Sequence, residues 1–293
     1  MKISISIGIP AYNEEKNIGR LLTAILTQRT CSIEIDQIVI VSSGSTDRTD
    51  IIVEDFAGKD DRIVLIRQRR REGKASAVNE FLKVAKNEVL VLESADTIPE
   101  QETIEKLCRP FIDEKVGMTG AHPIPTNNDN CFIGYASHLV WNLHHQIALK
   151  TPKCGELIAF RKIFDSIPTD TAVDEAWIEY EISKKGYKIL YVPEAIVYNR
   201  GPETVRDYIK QRRRIACGHL DLTKRVKYKV SSQNFTLLLR ALLEVFPLSK
   251  PSKWPYFFGA VTLEGISRLL GYYDYVSGKS HVIWDIVEST KKV

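Results

Sequence analysis

The stretch Asn87–Asp96, NEVLVLESAD, sets an apolar run directly against two carboxylates. A short apolar run bounded by polar residues predicts a buried strand over Glu88 to Leu92. Glu93 and Asp96 then have two readings. They end the strand as ordinary turn residues, or they mark a site for phosphates and a divalent cation. What precedes them bears on the choice. Ile3 to Ile9 alternates with period two and is expected to stop at Pro10, whose missing N–H disfavours a central strand position. Asn17 to Leu26 carries Ile18, Leu21, Leu22 and Ile25 on one helical stripe. Gln37 to Val41 is a second strand, and Asp47 to Phe56 a helix with Thr46 as its expected cap. Arg62 to Ile66 is a third strand and Ala75 to Ala85 a third helix. Repeated β-loop-α units call for an α/β fold with a mostly parallel central sheet and helices on both faces. Such sheets bind ligands at the C-terminal ends of their strands. PAYNEE (10–15), SSGSTD (42–47) and ESAD (93–96) all fall at such ends.

The totals bound the reading without deciding it. A chain of 293 residues can bury a full core. Its 41 Lys+Arg against 37 Asp+Glu leave only +4, too little to imply nucleic acid. Basic residues concentrate at Arg67–Arg71 and from Lys210 to Lys229, with no helix-turn-helix, zinc or RRM signature, so no nucleic-acid partner is expected. Five scattered cysteines without CxxC spacing predict largely buried thiols in a reducing compartment. MKISISIGIPAYN has no leader pattern, and no run of 18 or more apolar residues occurs, so a cytoplasmic location is expected.

Beyond Gly120 the pattern loosens. Phe132 to Leu149 reads as a helix carrying Trp141, His144 and His145, and CGELIAFRK as a short strand and turn. Asp174 to Lys185 is a helix, Tyr187 to Val192 a strand stopped by Pro193, and Pro202 to His219 a basic helix. From Ser231, apolar segments are broken by Pro247, Pro251 and Pro255. With Lys250, Lys253, Arg268 and Trp254 beside them, they either dock on a membrane surface or partner subunit, or cover the chain's own apolar surface.

Several residue groups carry chemistry. Tyr12 and Asn13 could contact a base or ribose, while Glu14 and Glu15 suit either a ligand or the first turn of a helix. SSGSTD is a turn with Gly44 free to adopt an unusual φ, or an anion-facing loop. Lys74 follows Gly73 at a helix start, the wrong end for a cation, and a diphosphate there would explain it. Asn79, one turn on, would present an amide on nearly the same face. Asp174 and Glu175 open another helix, as first-turn carboxylates or as a general base. QRRR (211–214) is a solvated face or a bidentate grip on an anion.

Taken in order, PAYNEE, SSGSTD, EGKASAVN, ESAD, CGELIAFR and VDEAWIEYEISKKGYKILYVPEAIVYNRGPETVRDYIKQRRRI resemble glycosyltransferase family 2, inverting enzymes of the GT-A fold. The resemblance covers residues 1 to about 220. It implies a catalytic domain over 1–220, with 1–100 binding the nucleotide sugar and 101–220 the acceptor, and a helical extension over 221–293. It implies that Pro10, Tyr12, Asn13, Glu14, Ser43, Asp47, Lys74, Asn79, Glu93, Ser94 and Ala95 bind a nucleoside-diphosphate sugar. Asp96 would ligate Mg²⁺ or Mn²⁺, Glu93 would support it, and Gln211, Arg213 and Arg214 would lie near the diphosphate and acceptor. Asp174 would be the base, with Glu175 the fallback, acting on a glycan or lipid-linked acceptor, with peripheral membrane contact. Serines 42 and 43 replace two aspartates usual in relatives, Ser94 replaces the first aspartate of the DxD element, and Ile215 replaces the tryptophan of QxxRW. Those departures leave the donor base open and favour single-sugar transfer. A nucleotidyltransferase that forms sugar nucleotides is the enzymatic alternative, and a nucleotide-sugar-binding protein without catalysis the other.

Overall fold

The alternation of side chains along the first strands places apolar groups on both sheet faces, which requires helices on both sides. The computed structural model, which describes residues 2–281 and Ile283, has this arrangement. Strand β1 (Ile3–Ala11) leads to helix α1 (Ile18–Leu26), β2 (Ile33–Ser43) to α2 (Thr49–Ala57), and β3 (Ile63–Gln68) to α3 (Lys74–Val84). Then come β4 (Val89–Glu93), β5 (Thr97–Pro99), α4 (Thr103–Cys108), β6 (Val116–Pro125) and α5 (Phe132–Lys150). Strand β7 (Leu157–Arg161), α6 (Asp174–Lys184), β8 (Lys188–Asn199), α7 (Val205–Val226), α8 (Phe235–Glu244) and α9 (Trp254–Val276) complete the described chain.

The sheet order is β3-β2-β1-β4-β7-β6-β8-β5. Strands β1 to β4 pair in parallel as expected, β7 runs antiparallel to β4 and β6, and β6 pairs in parallel with β8. One face buries Ile5, Ile7 and Ile9 against Ile18, Leu21 and Leu22 of α1. The other buries Val39, Val41, Leu90 and Leu92 against Val78 and Phe81 of α3 and Ile178 of α6. Each such buried aliphatic side chain contributes about 1.5–3 kcal/mol. A third cluster joins α5, α7 and α9 through Ile133, Leu139, Tyr208 and Phe257.

Several expected boundaries move. Strand β1 continues through Pro10, because β4 pairs only with Ile5 to Gly8 and leaves one neighbour at Pro10. Strand β8 runs on past Pro193 to Asn199, where it pairs with β5 and the end of β6. Thr46 does not cap α2: the helix starts at Thr49, whose N–H and hydroxyl both donate to Asp47 Oδ1. Glu14 and Glu15 precede α1 rather than occupying its first turn. The expected boundary at 220 falls inside α7, and Val282 and residues 284–293 of the predicted extension lie outside the described residues. Cys108, Cys154 and Cys217 are buried, Cys31 and Cys131 exposed. Among the described residues, no helix is long and apolar enough to cross a membrane.

Candidate active site

Parallel pairing sets the ends of β2, β1 and β4 side by side, and loops from those ends make two groups of contacts. The first joins the β1–α1 and β2–α2 loops. Asn13 Oδ1 accepts from Thr46 N at 2.8 Å, Glu14 N donates to Thr49 Oγ1 at 2.7 Å, and Glu15 N donates to Asp47 Oδ2 at 3.0 Å. Gly44 has φ +70° and packs against the backbone of Arg70 and Arg71, as its predicted conformational freedom requires. Ser43 Oγ accepts from Glu72 N at 3.0 Å, and the Arg71 guanidinium lies 4.1 Å from the Tyr12 ring centroid. Asn13, Glu14, Ser43 and Asp47 thus tie the loops that follow β1, β2 and β3 to one another.

The second group forms where α3 and α6 point their N-termini at a common place. Lys74 is the first residue of α3, and Asp174 and Glu175 the first two of α6. Lys74 Nζ lies 3.1 Å from Asp174 Oδ2, donates to Glu175 Oε1, and reaches Ser94 Oγ at 3.5 Å. The anion that the lysine's position calls for is therefore supplied in part by the chain itself. Burial, reinforced by the charge of Glu175, pushes the Asp174 carboxyl up to about 6 against the opposing pull of Lys74. Burial acts the same way on Glu175, but Lys74 and Arg214 outweigh it and hold that carboxyl low.

Antiparallel pairing of Glu93 with Leu157 brings the Ser94–Asp96 turn beside Glu156, and Ser94 N donates to Glu156 O at 3.3 Å. Burial and then the charge of Asp96 push Glu156 up to about 7. Glu93 is fully buried and is held up to about 8 chiefly by burial; its Oε1 accepts from Thr97 Oγ1, and among the described residues Oε2 has no hydrogen-bond partner. Glu93 therefore lies beneath the rim, and Ala95 is buried with it. Among the described residues no three His, Cys, Asp or Glu side chains are grouped as metal ligands. The charge of Asp96 acts on Glu156, and these two carboxylates are hard oxygen donors of the kind a divalent cation takes.

A cavity of about 460 Å³ runs from this cluster between α5, α7, α8 and α9. Lys74, Ser94, Asp96, Glu175, Gln211 and Arg214 line it, joined by Glu156, Lys153, Arg212 and His219. Pro10, Tyr12, Asn13, Glu14, Ser43 and Asp47 do not. Two expected contacts are corrected. Asn79 does not face the diphosphate position: its amide donates to Ile167 O and accepts from Ile167 N, both at 2.9 Å. Arg213 turns away from the cavity and makes a paired contact with Asp274 of α9, a buried carboxylate that needs a counter-charge. The QRRR stretch covers Arg212 without singling it out, and Glu156 and Lys153 were not foreseen as site residues. The polar pair Lys153 and Glu156 flanking Cys154–Gly155 before an apolar strand was the one sequence signal for them.

Residues 6–171 match the family described as glycosyl transferase family 2, and residues 89–269 match glycosyl transferase family group 2. The chain is 28% identical over 227 residues to poly-β-1,6-N-acetyl-D-glucosamine synthase of Staphylococcus aureus, covering 73% of this chain and 54% of that protein. It is 26% identical to the probable glycosyltransferase YdaM of Bacillus subtilis, covering 92% of this chain and 67% of that protein. The chain thus spans about half the length of the first of these relatives. In fold it is similar to a mannosyltransferase from Pyrobaculum calidifontis solved with GDP-Man and Mn²⁺, with a TM-score of 0.68 at 21% identity over 96% of this chain and 89% of that one. It is also similar to glucosyl-3-phosphoglycerate synthase from Mycobacterium tuberculosis, with a TM-score of 0.53 at 19% identity over 76% of this chain and 78% of that one. The mixed sheet with its helical C-terminal region is therefore the GT-A fold. With both family matches covering more than half of its length, the chain belongs to glycosyltransferase family 2.

Proposed function

We propose that the chain transfers a single sugar from a nucleoside-diphosphate sugar to an acceptor hydroxyl, with inversion at the anomeric carbon. The observation that carries this reading is the contact of Lys74 with Asp174 and Glu175: Asp174 is a buried carboxylate pushed up to about 6, and its neighbours Lys74 and Glu175 line a cavity that also reaches Asp96 and Arg214. A base poised near neutral pH suits proton abstraction from a hydroxyl. The acceptor O–H gives its proton to Asp174 as its oxygen bonds to the anomeric carbon. The carbon–oxygen bond to the diphosphate breaks on the opposite face, and the electron pair leaves with the nucleoside diphosphate. Arg214, which burial lowers to about 10, remains charged and faces the growing negative charge, with Lys74 on the same wall.

Asp96, together with Glu156, would hold Mg²⁺ or Mn²⁺. That ion would supply Lewis acidity to the leaving diphosphate. Support comes from relatives described with GDP-Man and Mn²⁺, and with UDP and Mn²⁺. The nucleotides in those complexes differ in base, and the donor class proposed for this chain is the nucleoside-diphosphate sugars. The loops carrying Tyr12, Asn13 and Asp47 would meet the nucleoside, and residues 101–220 the acceptor, a glycan or lipid-linked molecule. The outward faces of α8 and α9 would lie on a lipid surface.

Incubation of the protein with sugar nucleotides, Mn²⁺ and candidate acceptors tests the reaction. Release of free nucleoside diphosphate is expected; release of pyrophosphate would instead make the chain a nucleotidyltransferase. Asp174→Asn is expected to cut turnover by about 10²–10⁴-fold while leaving donor affinity largely intact. Equal turnover in that variant would remove Asp174 as the base.

A further inference from the structure

The cavity has two kinds of wall. Beside the carboxylate cluster its walls are charged. Farther away they are Leu139 and Leu143 of α5, Leu238 and Leu242 of α8, and Val261 of α9. Phe235 both lines the cavity and is 76% exposed, so the apolar part opens to the surface there. Between the two parts sit Lys153, Arg212, Arg268 and His219, faced by Glu179 and Glu264. Glu264 is committed to Arg212 and Arg268, and Glu179 accepts from Tyr228 Oη. Among the described residues no carboxylate lies within ion-pairing distance of Lys153. Burial, followed by the charge of Arg212, lowers its ammonium to about 8. A half-buried cation with no carboxylate in direct contact favours an anion in the space before it.

We propose that the acceptor taken by this cavity is an amphiphile, whose anionic group sits on Lys153 and whose hydrocarbon chain lies between α5, α8 and α9. This rests on the transferase reading for the meaning of "acceptor", but the binding site stands on its own geometry. The anionic group anchors the molecule at the junction of the charged and apolar walls. The chain leaves through the opening at Phe235, which adjoins the outward apolar residues of α8.

Calorimetric titration with butyl, octyl and dodecyl phosphate, each below its micelle concentration, tests the site. Affinity is expected to rise by up to roughly fourfold per added methylene until the apolar part is filled. Lys153→Met should weaken octyl phosphate by about tenfold or more and leave octanol unaffected. Leu242→Trp should abolish the gain from octyl to dodecyl while Lys153 still binds the phosphate. Melting curves check that each variant folds; if Lys153→Met does not, Leu242→Trp carries the test. Affinity independent of chain length, or unchanged affinities in both variants, would overturn the proposal. Nucleoside diphosphate binding, measured on the same samples, separates the two readings. Alkyl phosphate binding without nucleotide binding would remove the transferase reading alone, and the converse would remove the amphiphile site alone.

Discussion

At Asp174, burial and the charge of Glu175 push the carboxyl up to about 6, with Lys74 opposing them. The base works only when ionised, so kcat/KM should rise with pH through about 6 and then level off. Glu175→Gln removes a negative neighbour, which makes Asp174 easier to ionise and should move that limb to lower pH. A pH–rate profile of the two proteins checks the direction; a limb that moves up or stays put would refute the coupling. Asn79 offers a different test. Both ends of its amide serve the Ile167 backbone, so Asn79→Ala leaves a buried N–H and carbonyl unsatisfied. The expected cost is about 1–3 kcal/mol in urea unfolding, with donor affinity unchanged. A loss of donor affinity without a loss of stability would return Asn79 to the ligand. Its residue type and spacing fit both roles, and only the position of the 160s loop separates them.

Among the elements, α7 and α9 make the tightest helix pair of the C-terminal region. A Cβ on Gly271 would meet Arg213 O at 2.6 Å and the Ala216 Cβ at 2.7 Å, so the two helices cross where glycine lets their backbones approach. Gly271→Ala is expected to destabilise the protein by about 1–3 kcal/mol through overpacking, read from denaturant midpoints. An unchanged midpoint would mean that the helices separate freely. The charged residues of α9 explain why the crossing holds. Glu264 binds Arg212 and Arg268, and Asp274 is 1% exposed against Arg213, so the helix turns its charges inward. Outward it presents Trp254, Phe258, Ile266, Leu269 and Tyr273. The segment's apolar texture was legible in the sequence. Its inverted orientation was not, because Glu264 and Asp274 gain their partners only from α7.

For the molecule as a whole, that inversion places an uncharged apolar stripe on the surface beside Lys250 and the half-buried Lys253. Vesicles containing anionic lipid should therefore co-sediment with the protein at low ionic strength and release it as salt rises. Leu269 is 71% exposed, so Leu269→Asp should abolish binding without lowering the melting temperature. Failure of the parent protein to bind at low salt would count against a lipid-facing role.

The first four strands, their parallel pairing and the helices between them could be read from period and composition, because each β-loop-α unit buries its side chains by a local pattern. The ordered series of polar stretches likewise pointed to the family. Contacts from distant parts of the chain set the rest. Antiparallel β7 carries Glu156 to Asp96, α6 delivers Asp174 and Glu175 to Lys74, and α9 draws Arg213 away from the cavity that Arg212 and Arg214 line. ESAD supplies one strong ligand candidate of its own. Its acidic partner arrives from 60 residues later, through a strand register that no local pattern encodes.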